Sequence, residues 1–311
     1  IYQPMPSSPT LLRGATVLTG NGERFENTDL ILKEGKIDAI GPNLVAEDIV
    51  VIDAKGMWVT PGIIDVHSHL GVYASPRVRA HSDGNEATAP NTAEVWAEHS
   101  VWPHDPGFVT ALAGGITSLQ ILPGSANLIG GRGVTLKNVP GQSVMEMKFP
   151  GAPHGLKMAC GENPKRVYGS RRQPPSTRMG NVAGYRAAWI EASDYRDEME
   201  EANKGQGKPP KRDLKLETLV GVLNGEILVH NHCYRADEMS VMLEIAKEFN
   251  YKVGTFHHAV EAYKIADLLR ETDTCAAIWA DWWGFKMEAF DGIPQNAGLL
   301  SKAGARAIIH S

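Results

Sequence analysis

Three short segments of this 311-residue chain place imidazoles at the ends of apolar runs. His67 and His69 close Pro61-Gly62-Ile63-Ile64-Asp65-Val66-His67-Ser68-His69, His230 and His232 close Ile227-Leu228-Val229-His230-Asn231-His232, and His257 and His258 follow Tyr251 to Phe256. Side chains two apart on a strand point to the same side, so each His-x-His pair can aim at one ion from a strand end. Imidazole is a good ligand for zinc and other first-row divalent cations. An isolated His-x-His is more often a pair of polar loop residues, and a lone histidine at the later places is more often a satisfied core residue. Recurrence at successive expected strand ends argues for a shared site.

Two further groups compete to complete it. Leu156-Lys157-Met158 sets a lysine between apolar residues. Burial lowers a lysine's pKa and favours the neutral amine, the form that can add carbon dioxide. The plainer alternative is a strand-end lysine that snorkels to solvent. Glu162, in Gly161-Glu162-Asn163-Pro164-Lys165, lies at a turn just beyond, where a carboxylate can ligate metal directly. The sequence leaves Lys157 and Glu162 open as alternatives. Arg132, in Ile129-Gly130-Gly131-Arg132-Gly133, reads as a cation on a glycine-rich turn that can meet an anionic substrate group, although a simple hairpin turn explains it as well. Trp279, Trp282 and Trp283 with Asp281 wall a pocket or pack in a core with equal plausibility.

The elements that must position these residues follow from texture. After an extended leader at residues 1–9, short β segments with turns over residues 10–59 predict a small antiparallel module. From Thr60 apolar runs alternate with helical segments, the pattern of β/α units and a parallel sheet, so residues 60–311 are expected to form a barrel. Its strands are expected at Ile63–Val66, Ile116–Leu122, Leu156–Cys160, Ile227–Val229, Tyr251–Phe256, Cys275–Ala280 and Arg306–Ile309, with an eighth around Val134-Thr135-Leu136. Met239, Met242, Leu243, Ala246 and Phe249 form one apolar helix face, and Ile265, Leu268 and Leu269 another. The charge-dense stretch from Tyr195 to Asp213 reads as a solvated helix followed by a loop.

Composition narrows the partners. A formal charge of −5 with signs interspersed offers no basic stripe for nucleic acid. No apolar stretch approaches the roughly 18 residues that cross a bilayer, so a membrane partner is not expected. Cys160, Cys233 and Cys275 are odd in number and widely spaced, which argues against a disulfide framework and for buried bystanders. A small-molecule substrate is the expected partner, with a homo-oligomer left open.

The segment from Pro61 to His69 resembles the first-strand signature of the amidohydrolase superfamily, particularly its imidazolonepropionase-like and dipeptidase-like branch. Ala113-Gly114-Gly115-Ile116-Thr117-Ser118 is similar to its second strand, and the likeness spans almost the whole chain. The resemblance implies a (β/α)8 TIM-type barrel with an N-terminal β-sandwich module, α/β in class. It further implies a site of one or two divalent ions, expected to be zinc, held by His67, His69, His230 and His258. Lys157 would be a carboxylated bridging ligand with Glu162 in reserve, and His232 and His257 would meet substrate. The implied activity is hydrolysis of a C–N amide bond in a cyclic amide or small peptide-like substrate. A mononuclear deaminase-like enzyme and a noncatalytic barrel scaffold are the alternatives. In the family an Asp after the eighth strand takes the proton from the attacking water, commonly within His-Ser-Asp. His310-Ser311 ends this chain, so that residue is expected to follow Ser311. The abrupt end suggests a fragment, and the proline-rich start without Met leans toward export.

Overall fold

The computed structural model describes residues 2–310, and the chain divides into two compact units, one ending at Ile63 and one beginning at Ile64. The first is a single five-stranded sheet of β1 (Thr10–Leu18), β2 (Arg24–Lys33), β3 (Lys36–Gly41), β4 (Val50–Asp53) and β5 (Trp58–Val59). The first three form the antiparallel meander that their turns predict, but β4 and β5 pair with β1 in parallel. After β3 the chain crosses to the other edge of β1, and a strand reached by such a crossover runs parallel. The module is thus one mixed sheet rather than a purely antiparallel one.

All eight strands expected downstream are present in chain order: β6 (Ile63–Ser68), β7 (Ile116–Ile121), β8 (Ile129–Lys137), β9 (Gly155–Ala159), β10 (Leu228–Cys233), β11 (Val253–His258), β12 (Cys275–Ile278) and β13 (Ala307–Ile309). They make one sheet in which each strand neighbours the next. From β9 to β13 the ladders are parallel. Strand β8 is reversed, antiparallel to both β7 and β9, and it takes in the glycine segment 129–133 read above as a turn. The short stretch 122–128 between β7 and β8 holds no helix, and a connection that short returns the chain antiparallel. The sheet curls so far that the ring of His67, on β6, stands 5.3 Å from the ring of His310, directly after β13. This is the (β/α)8 TIM-type architecture with its third strand turned around. No ladder between β6 and β13 occurs among the described residues.

The helices are α1 (Pro106–Ala113), α2 (Val144–Met147), α3 (Glu162–Gly169), α4 (Arg178–Asn203), α5 (Leu214–Leu223), α6 (Ala236–Glu248), α7 (Ala266–Glu271) and α8 (Asn296–Lys302). Helix α4 buries Tyr185, Ala188, Trp189, Ala192 and Tyr195, the three-and-four spacing of one helical face. Burial of each large aromatic there stabilises the unit by about 2–3 kcal/mol. The same core takes Leu219 and Val222 from α5, Met239 and Met242 from α6, and Leu156 and Met158 from β9. Every residue of β9 is buried, as expected for a strand covered on both faces. Asp105 caps α1 through the Gly107 amide at 2.9 Å and also accepts from the amides of Gly71 (2.8 Å) and Ser75 (3.1 Å). It thereby ties the loop that follows β6 to α1.

Candidate metal centre

The two His-x-His strand ends and the His257-His258 pair converge at the C-terminal ends of the barrel strands. His67 is the hub, its ring centroid 5.0 Å from His69, 4.7 Å from His257, 4.8 Å from His258 and 5.3 Å from His310. His230 joins through His257, 5.2 Å between rings, and His232 through His258 at 4.6 Å. Neighbouring residues of a regular strand face opposite ways. His258 has φ of +71° and Ala259 of +37°, so the backbone leaves the extended region at the end of β11. Both His257 and His258 therefore reach His67. A left-handed backbone at two consecutive non-glycine residues is costly and is characteristic of functional sites.

Four of the rings form a chain of nitrogen contacts. His69 Nδ1 is 2.8 Å from the Leu122 carbonyl, His69 Nε2 is 3.3 Å from His67 Nε2, His67 Nδ1 is 3.0 Å from His257 Nδ1, and His257 Nε2 is 2.9 Å from His230 Nδ1. One proton per ring satisfies the whole chain: His69 donates to the carbonyl, His67 to His69, His257 to His67 and His230 to His257. The rings are thus neutral donors. Burial, with the charge of Lys157 second, brings His69 and His230 down to about 4 and drives His67 and His232 well below the ordinary histidine value. Burial also depresses His257 and His258, with neighbouring histidines the next cause.

Lys157 is fully buried, opposite His230 in the β9–β10 ladder, and its Nζ donates to the Pro123 carbonyl at 2.7 Å. Burial alone lowers its pKa to about 7. The lysine does not snorkel to solvent; it stands among the histidines, and its charge helps to depress His67, His69, His230, His232, His257 and His258.

Two sequence candidates lie elsewhere. Glu162, the first residue of α3, faces Lys286 at 3.5 Å. Its neighbour Asn163 is the α3 residue that meets the cluster, its Nδ2 3.3 Å from His232 Nε2 and 2.9 Å from Ser125 Oγ. Arg132 points away from the histidines. Gly131 opposes Lys157 in the β8–β9 ladder, so alternation sends Arg132 to the other face, where it donates to Thr218 Oγ1 at 2.9 Å and lies 4.2 Å over the Trp96 ring. Trp279 does wall the cluster, 4.4 Å from His258 and 5.8 Å from His310. The cysteine expectation fails. Cys160 and Cys233 form a disulfide, and only Cys275 is free. Spacing along the chain concealed that parallel strands bring two distant residues to adjacent strand ends.

No three His, Cys, Asp or Glu among the described residues already stand as an ion cage. The rings instead make nitrogen contacts with one another. The donor set itself suits a cation. Two nitrogens about 2.0–2.1 Å from a tetrahedral zinc are about 3.4 Å apart, and the Nε2 atoms of His67 and His69 are 3.3 Å apart. Nδ1 of His232 and Nδ1 of His258 are buried with no hydrogen-bond partner. A cavity of about 550 Å³ is lined by Val72, Asn85, Glu94, Trp96 and Pro123 among others; it reaches Pro123, whose carbonyl accepts from Lys157, but none of the six clustered histidines lines it.

No family model matches the chain. An amidohydrolase from Thermotoga maritima MSB8, solved by crystallography, shares 36% identity with it at a TM-score of 0.90, over 97% of this chain and 78% of that one. The chain belongs to the amidohydrolase superfamily. Amidohydrolase tasK of Hapsidospora irregularis is 33% identical over 96% of this chain, which spans 35% of that protein's length. A dihydroorotase of Halalkalibacterium halodurans is 43% identical over 20% of this chain and 14% of its own. As an amidohydrolase barrel, the molecule presents its histidines at the strand ends where TIM-barrel active sites lie.

Proposed function

We propose that this chain carries the barrel of a metal-dependent amidohydrolase that cleaves a C–N amide bond in a cyclic amide or small peptide-like substrate with an activated water. The observation that carries the reading is the gathering of six neutral imidazoles around the buried amine of Lys157. His67, His69, His230 and His258 would hold the metal, with zinc the ion their donor type suits. Bound there, a divalent cation supplies Lewis acidity, acidifying a water and polarising a carbonyl at neutral pH.

The chain's own residues do the rest. Leu122 fixes the tautomer of His69, leaving Nε2 as its donor atom. His257 orients both His67 and His230. His232 lies beside Asn163, which in turn bonds Ser125, a polar edge able to orient a substrate amide. Every charged neighbour acting on the histidines is cationic or another histidine. Addition of carbon dioxide to the neutral Lys157 amine, which forms an N–C bond, releases one proton and leaves a carbamate anion, would supply the missing negative charge. The mononuclear alternative draws on the Lys157–Pro123 hydrogen bond, which engages the unmodified amine.

Elemental analysis of the full-length protein, with a screen of cyclic amides and dipeptides, tests the reading. Two ions per site, a 44-dalton addition at Lys157 and hydrolysis of a cyclic amide or dipeptide are expected. One ion with unmodified Lys157 favours the mononuclear enzyme, and absence of both metal and turnover overturns the proposal.

A further inference from the structure

The two cysteines that the sequence marks as bystanders occupy a particular place. Strands β9 and β10 run parallel in a register that sets Lys157 opposite His230 and Ala159 opposite His232. One residue later the Cys160 amide donates to the His232 carbonyl at 2.9 Å, the last backbone bond between the two strands. Beyond it the chains diverge. Gly161, at φ of +81°, turns one into α3, and Tyr234 and Arg235 lead the other into α6. The disulfide lies at this point of divergence, with the two Cα atoms 5.2 Å apart and both residues buried. It is three residues past Lys157 and one past His232.

Cys233 braces the next strand as well. It stands opposite His258 in the β10–β11 ladder, and its carbonyl accepts from the Ala259 amide at 2.9 Å. These are the two residues held in the left-handed region. Apart from ring contacts with Tyr234 at 4.8 Å and His258 at 4.6 Å, His232 has few restraints of its own. Its Nδ1 is buried without a partner, and its Nε2 has one contact, with Asn163 at 3.3 Å.

We propose that the Cys160–Cys233 disulfide is a positioning device for the histidine cluster, fixing the strand end of Lys157 against that of His230 and His232 and bracing the turn at His258. The inference rests on the metal reading of the cluster. Supporting partners of metal ligands typically contribute 10–100-fold in affinity, and a covalent tie between two ligand-bearing strands acts at the same level.

The test uses the full-length protein loaded with Zn2+. Peptide mapping without reductant should recover the segments containing Cys160 and Cys233 as one linked species. Zinc loss to a chelator should be about 10–100-fold faster in Cys160→Ala than in the parent. Leu219→Ala, which opens a cavity in the core at α5, serves as a variant of lowered melting temperature with the crosslink intact, and Cys275→Ala as a control for a free thiol. Both should release zinc at the parental rate. If Cys160→Ala does not fold, the parent reduced by excess dithiothreitol replaces it. The reagent gives two hydrogens and two electrons to the protein disulfide and leaves as its own cyclic disulfide. Unlinked cysteines, or zinc loss no faster than in Leu219→Ala, overturn the proposal. Equal retention in all variants defeats this inference alone, whereas no zinc uptake by the parent defeats the metal reading beneath it.

Discussion

The two His-x-His arms share a spacing and a strand-end position, yet they are held in different ways. The arm of β6 has a backbone anchor: His69 leans on the Leu122 carbonyl, while the ring of His67, whose amide donates to Asp65 Oδ1 at 3.0 Å, leans on His257. The arm of β10 is oriented by side chains: His230 leans on His257 and His232 on Asn163, with the disulfide closing the strand end. An identical motif thus specifies where imidazoles point but not what holds them. Backbone partners are fixed by the fold, whereas side-chain partners can be removed singly.

Substitutions should separate the arms. His67→Ala removes the hub that four rings touch and is expected to reduce kcat/KM by about 1,000-fold or more, with metal lost on dialysis. His232→Ala, at the edge of the same cluster, should cost about 10–100-fold, read by metal titration. Comparable losses would mean that the hub has no special standing.

Acid should affect both arms together. In the metal-free protein His69 and His230 each titrate near 4, below the unfolded value of about 6.5. Between these values the unfolded chain binds protons that the folded chain refuses, so stability falls as pH drops from about 6.5 to about 4 and changes little above that window. Thermal melts across this range should show a decline of several kcal/mol that bound metal deepens, because acid also expels the ion. A flat profile would show that the rings are not buried as described.

The smallest effect is expected off both arms. Arg132→Ala removes a hydrogen bond to Thr218 and a stack on Trp96, about 1–2 kcal/mol of stability, and should leave kcat/KM within about twofold. A large loss of activity would return Arg132 to the substrate.

Much of this was legible in the chain. Apolar runs ending in histidine marked β6, β10 and β11, because a buried strand delivering a polar residue is a costly pattern that local propensity does not produce by chance. The reversal of β8 was hidden, since Val134 to Leu136 reads the same in either direction and only the short connection after β7 reveals it. That reversal also misplaced Arg132, whose face is set by its pairing with Leu156 rather than by its glycines. His257, read as substrate-facing, stands between His67 and His230, and a left-handed turn at His258, invisible to strand periodicity, brings the next ring in beside it. The disulfide needs the register of β9 on β10, a long-range property no local spacing encodes. Its closed loop, a sequence separation of 73 residues, corresponds to about 4 kcal/mol of stabilisation by chain entropy.

The central claim is that imidazoles from separate strands gather around a shared metal site. X-ray absorption at the zinc edge of the loaded full-length protein tests it most directly. The expected spectrum shows several imidazole nitrogens at about 2.0–2.1 Å, lost in His67→Ala; a shell of oxygen alone, or of sulfur, would contradict it.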